Sequence, residues 1–89
     1  MQRIDFANGE SLEVTYCGVS DGVLFFEVID DGGVLEYAEK FSDPERTGLI
    51  TYQMDDLPPH VYEGYTRLLS VSKSRWNGYM TINLIQGEG

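Results

Sequence analysis

Apolar and polar side chains alternate over residues 2–7 (QRIDFA), with Ile4 and Phe6 on one face and Arg3 and Asp5 on the other. A period of two marks a strand with one covered face. Asn8-Gly9 follows, a pair that tolerates positive φ and so favours a tight hairpin turn. Residues 11–17 (SLEVTYC) alternate again and place Leu12, Val14 and Tyr16 inward. Residues 18–22 (GVSDG) read as a turn. Residues 23–29 (VLFFEVI) are a short unbroken apolar run rich in β-branched and aromatic side chains. Such a run predicts a central strand covered on both faces.

Asp30-Asp31-Gly32-Gly33 breaks the run, and the period then changes. In residues 34–41 (VLEYAEKF), Val34, Tyr37, Ala38 and Phe41 recur at i, i+3, i+4 and i+7, the stripe of an amphipathic helix. Glu36 and Lys40 form a favourable i,i+4 pair on its outer face. Asp31 stands where a capping residue would. Ser42-Asp43-Pro44-Glu45 reads as a Ser-x-x-Glu capping box with proline in the first turn, predicting one helical turn that ends at Gly48. Strand chemistry returns at 48–54 (GLITYQM), before a loop that carries Asp55-Asp56 and Pro58-Pro59. Residues 62–73 (YEGYTRLLSVSK) predict one strand, bent or bulged at Gly64. Trp76-Asn77-Gly78 supplies another turn, and residues 79–86 alternate with Met80, Ile82 and Leu84 inward.

The sum is β-β-β-α-β-β-β. The expected fold is α+β: a small curled antiparallel sheet of about six strands, one face covered by one helix. The pattern leaves strand order and barrel closure open. No linker, low-complexity tract or convincing internal repeat interrupts residues 1–89, so a single domain is expected. The expected core is Phe6, Leu12, Val14, Leu24, Phe26, Val28, Val34, Tyr37, Phe41, Ile50, Leu69, Ile82 and Leu84.

Charge narrows the function. Fifteen acids against six bases give a net charge of −9. That field repels nucleic-acid phosphates and anionic membranes, and it favours solubility and cationic partners. The acids are scattered from Asp5 to Glu88, as on a solvated surface. Cys17 is the only cysteine, so no internal disulfide can form, which suits a reducing compartment. Residues 1–20 carry Arg3, Asp5, Glu10 and Glu13, which excludes a signal-peptide apolar core there. No apolar run approaches the ~20 residues that span a bilayer. Synthesis in the cytoplasm is expected.

Catalytic and metal chemistry finds few candidates. His60 is the only histidine, follows two prolines, and has no second ligand at useful spacing. Cys17 ends a predicted strand and has no histidine partner. Asp30-Asp31 and Asp55-Asp56 sit among glycine and proline and read as turn formers. They lack the alternating oxygen donors of a calcium loop. Gly32-Gly33 precedes the helix without the later glycines or the lysine of a phosphate loop. No cofactor, metal or small-molecule substrate is expected, and the chain does not read as an enzyme.

The remaining chemistry is aromatic. Tyr62, Tyr65, Trp76 and Tyr79 fall close together in sequence beside Arg67 and Arg75. Tyr, Trp and Arg anchor protein interfaces because they bury large area at small entropic cost. A second candidate surface is acidic: Glu36, Glu39, Asp43 and Glu45 along the helical segment, interrupted by Lys40. Carboxylates spaced like phosphates would mimic nucleic acid.

The strings KFSDPERTGLITY (40–52), VYEGYTRLLSV (61–71) and NGYMTINL (77–84) resemble small Firmicute and prophage-associated proteins. Those share a Phe-Ser-Asp-Pro-x-x-Thr step, a Tyr-x-Gly-Tyr-Thr segment and a final strand. The resemblance implies a phage or mobile-element setting, such as a virion or tail-module component. That family has no defined chemistry and transfers no catalytic residue. The leading expectation is therefore a non-catalytic interaction or structural module that self-associates or binds a protein. The alternative is an acidic nucleic-acid mimic that inhibits a host defence nuclease.

Overall fold

The computed structural model describes residues 2–29, 33–73 and 78–87. Eight strands and two helices follow in the order β1 (Arg3–Phe6), β2 (Ser11–Glu13), β3 (Tyr16–Ser20), β4 (Val23–Ile29), α1 (Gly33–Lys40), α2 (Pro44–Thr47), β5 (Leu49–Gln53), β6 (His60–Glu63), β7 (Arg67–Lys73) and β8 (Tyr79–Ile85). They form two four-stranded antiparallel sheets, β2-β1-β5-β6 and β3-β4-β8-β7. The fold is α+β and sheet-rich. It is neither one curled six-stranded sheet nor a closed barrel.

The extra strands come from two places where the chain changes sheet without a turn. The Val14 N–H donates to the Gln2 carbonyl (3.1 Å) and so continues the β1–β2 ladder. The next amide, Thr15, donates to the Glu27 carbonyl (3.0 Å) in the other sheet. The predicted strand 11–17 is thus split at one peptide, and its alternation slips by one residue. Tyr16 faces out, half exposed, and Cys17 is buried instead. The predicted turn at 18–22 shrinks to Asp21-Gly22, whose φ values of 52° and 78° make the two-residue turn that suits a twisted hairpin.

The predicted strand 62–73 divides in the same way. The Gly64 N–H donates to the Gly48 carbonyl in the first sheet, and the Gly87 N–H donates to the Gly64 carbonyl from the second. Gly64 has φ +81°, a region costly for any residue with a Cβ. The bend expected there is therefore a change of sheet. A bulge follows in β7, where the register against β8 shifts between Leu68 and Ser70. It turns Leu69 out to solvent, 54% exposed, although the pattern predicts it inside.

Strand order reads the same when β1–β4 are exchanged for β5–β8: β1 and β5 pair at the centre of one sheet, and β4 and β8 at the centre of the other. The halves share a topology that no sequence repeat announces. The helical segment connects them, leading from Ile29, near the Val14–Thr15 crossing, to Gly48 beside Gly64.

Its sequence explains its shape. Tyr37 is buried on α1 and its hydroxyl donates to the Ile29 carbonyl (2.8 Å). Phe41 is fully buried, with ring centroids 5.7 Å from Phe6, 5.3 Å from Phe26 and 5.9 Å from Tyr37. One helix-end side chain therefore joins both sheets. Helix α2 is capped by Asp43, whose side chain accepts from the Glu45 N–H (3.0 Å). Ser42, the expected cap, donates back to the Ala38 carbonyl instead (2.5 Å) and closes α1. The predicted Asp31 cap lies outside the described residues.

The core also includes Ile4 and Met80, which lie on the inward faces their alternation predicts, and Cys17, Tyr52 and Tyr65. Leu12 and Val34 are only partly buried at its margin. Strand β4 is central in its sheet, but only Leu24, Phe26 and Val28 are covered; its other face is open.

Candidate interaction surface

The open face of β3-β4-β8-β7 follows from the alternation on each strand. With Cys17, Leu24, Phe26, Val28, Met80, Ile82 and Leu84 inward, the opposite positions must point out. In register they run Tyr16–Glu27–Thr81–Ser72, then Gly18–Phe25–Asn83–Ser70, then Ser20–Val23–Ile85–Arg67, with Ile29 and Tyr79 paired at one end. Two charged residues, Glu27 and Arg67, stand among them. Tyr16 stacks on Phe25 with centroids 5.3 Å apart and planes 25° from parallel. A Cβ built on Gly18 would lie 3.1 Å from the Tyr16 hydroxyl, so the tyrosine ring covers the glycine. Asn83 Nδ2 donates to Ser70 Oγ (3.1 Å) across the same face.

The open face of β2-β1-β5-β6 is different. It presents Arg3, Asp5, Glu13 and Glu63 among Ser11, Thr51, Gln53, Leu49 and Val61. Asp5 Oδ1 accepts from Ser11 Oγ (2.6 Å) and lies 3.2 Å from Arg3 Nε. This face carries four charges, of which Arg3 and Asp5 pair with each other, whereas the β3-β4-β8-β7 face is nearly neutral and aromatic.

The aromatic set expected from sequence does not assemble into one patch. Tyr65 is buried and packs edge-on against half-buried Tyr62, centroids 6.3 Å apart. Tyr79 lies opposite Ile29 and Arg67 opposite Ile85, at the two ends of β8. At about 3.3 Å per residue those ends are roughly 20 Å apart. Arg75 and Trp76 lie outside the described residues. Tyr16 on the edge strand β3 and Phe25 on the inner strand β4, which sequence reasoning did not select, form the aromatic stack of this face. The signal was present in the alternation of β4, where Phe25 must oppose Phe26.

The acidic set is partly gathered. Glu36, Glu39 and Asp43 border a shallow depression of about 380 Å³ together with Lys40 and Arg46. Glu45 is exposed on α2. Arg46 Nη2 lies 2.7 Å from Glu10 Oε2, and its Nη1 donates to the Lys40 carbonyl (3.1 Å). The guanidinium ties the β1–β2 hairpin to the helices and breaks the run of carboxylates. A second groove of about 300 Å³ separates β2 from α1, bordered by Leu12, Ile29, Tyr37, Glu13, Glu36 and Lys40.

Burial pushes the Cys17 thiol up to about 12, so it stays protonated and unreactive at neutral pH. Burial likewise raises Tyr52 and Tyr62 above the usual tyrosine value. His60, expected in a loop, opens β6 opposite Tyr52 and is exposed. No three His, Cys, Asp or Glu residues among those described could hold a metal. Nor is any helix among them long and apolar enough to cross a membrane. No protein-family model matches the chain, and no curated protein or solved structure matches it.

Proposed function

We propose that this chain is a non-catalytic protein-interaction module whose contact surface is the open face of β3-β4-β8-β7. One observation carries the reading. In a chain of net charge −9, this face shows Tyr16, Phe25, Ile29 and Tyr79 with only Glu27 and Arg67 charged among the described residues. Aromatic side chains with few charges are the composition of an interface centre, where desolvating ions would be costly. The acids elsewhere keep the remaining surface solvated. The resemblance to prophage-associated proteins adds a setting, that of a small component docking into a larger assembly.

A photo-reactive side chain tests the surface directly. Placed at Thr81 on the proposed face, it is expected to form protein adducts in expressing cells. Placed at Thr51 on the charged face, it is expected to form none above background. Equal labelling from both positions would remove the basis for the assignment.

A further inference from the structure

A sheet edge presents unpaired N–H and C=O groups, and proteins guard such edges with charge, proline, bulges, brevity or cover. Three of the four edges here are guarded. Strand β2 has three residues and lies beside α1 across the narrow groove. Strand β6 follows Pro58-Pro59 and carries His60 and Glu63. Strand β7 has the bulge at Leu69, with Arg67 and Lys73 at its ends. Strand β3 (Tyr16-Cys17-Gly18-Val19-Ser20) has no charge, no proline and no register shift, and its one ladder partner among the described residues is β4.

We propose that β3 pairs antiparallel with β3 of a second copy, centred on Gly18, joining two β3-β4-β8-β7 sheets into one. The pairing uses the edge of the sheet whose open face is the proposed contact surface, and it sets two such faces side by side in one sheet. Pairing about Gly18 sets Tyr16 against Ser20 and Cys17 against Val19, so the paired strands bring no charges together. Two chains of charge −9 repel over most approaches, and an uncharged edge is where they can meet. Val19 lies opposite Leu24, on the inward side of β3, yet is 43% exposed, and the partner's Cys17 side would cover it. Gly18 at the dyad has no side chain, which leaves room for the Tyr16 ring that lies over it from each copy. Pairing over five residues is small, at the low end of interface sizes (below about 1,200 Å²), so the dimer is reversible and concentration-dependent.

The test is light scattering and amide hydrogen exchange on the intact protein from micromolar to millimolar concentration. The expected result is a doubling of mass, with slower exchange confined to alternate amides of residues 16–20. Val19→Lys puts a charge on this edge at a half-exposed position and should return the protein to monomer. Val61→Lys on β6, 56% exposed, should leave the dimer intact. A monomer at millimolar concentration overturns the proposal. So does a dimer that Val61→Lys weakens and Val19→Lys does not. A dimer that persists in both Val19→Lys and Val61→Lys forms through another surface and also overturns pairing through β3, while the interaction-module reading stands on the Thr81 crosslinks.

Discussion

Cys17 shows how one residue's placement sets a solution property. Its thiol is 5% exposed, and burial holds its pKa near 12, against a value of about 9 when exposed. Between those values the unfolded chain sheds a proton that the folded chain keeps. The unfolded state therefore binds fewer protons, and stability falls as pH rises, by about 1.4 kcal/mol per pH unit from this group. The contribution is fully present below pH 9 and is lost towards pH 12. Tyr52 and Tyr62, also raised by burial, act in the same direction at higher pH. Denaturant titrations at pH 8 and pH 10.5 should show a smaller alkaline loss in Cys17→Ala than in the native chain, and equal losses would refute this account. Gly64 is the backbone counterpart. A Cβ there meets nothing within 4 Å, so Gly64→Ala suffers only from φ +81°. A cost of about 1–2 kcal/mol is expected by thermal unfolding.

At the scale of elements, local chemistry was legible wherever a side chain decides its own backbone. The helical stripe Val34-Tyr37-Ala38-Phe41, the turn ending at Gly48 and the alternation of β1 and β8 are all visible in the chain, whereas the unbroken apolar run of β4 predicted cover on both faces and only one is buried. The two changes of sheet were not. At Val14-Thr15 neither residue is a turn former, and the hand-over is decided by which neighbouring ladder each amide joins. Alternation cannot reveal that, because the residues on either side still alternate. The slip it introduces turned Tyr16, expected to face inward, out onto the candidate surface. Helix α2 offers a sharper test of capping. The Asp43 side chain takes the Glu45 N–H, whereas Ser42 bonds the Ala38 carbonyl. Asp43→Ala should lose about 1 kcal/mol, the usual value of a cap. Ser42→Ala should lose less, and the reverse order would restore the Ser-x-x-Glu reading.

At the scale of the whole molecule, two sheets of short strands share one core, and Phe41 connects them. A chain of this size has little stability to spare, about 5–15 kcal/mol in total for a typical domain. Phe41 touches Phe6 in the first sheet and Phe26 in the second while anchoring the helical link between the halves. Truncating it removes apolar contacts on both sides and leaves a cavity that neither sheet can collapse into alone. Phe41→Ala should therefore cost about 3–5 kcal/mol, much of the total. The form of the loss separates two views of the repeated topology. If the halves fold as one unit, hydrogen exchange in the variant should speed up together in β1, β5, β4 and β8, in a single cooperative transition. If β1–β4 and β5–β8 were independent, one set would keep its protection while the other lost it. The central ladders β1–β5 and β4–β8 each take one strand from either half, so neither sheet can persist without both. Loss in concert is the expected outcome.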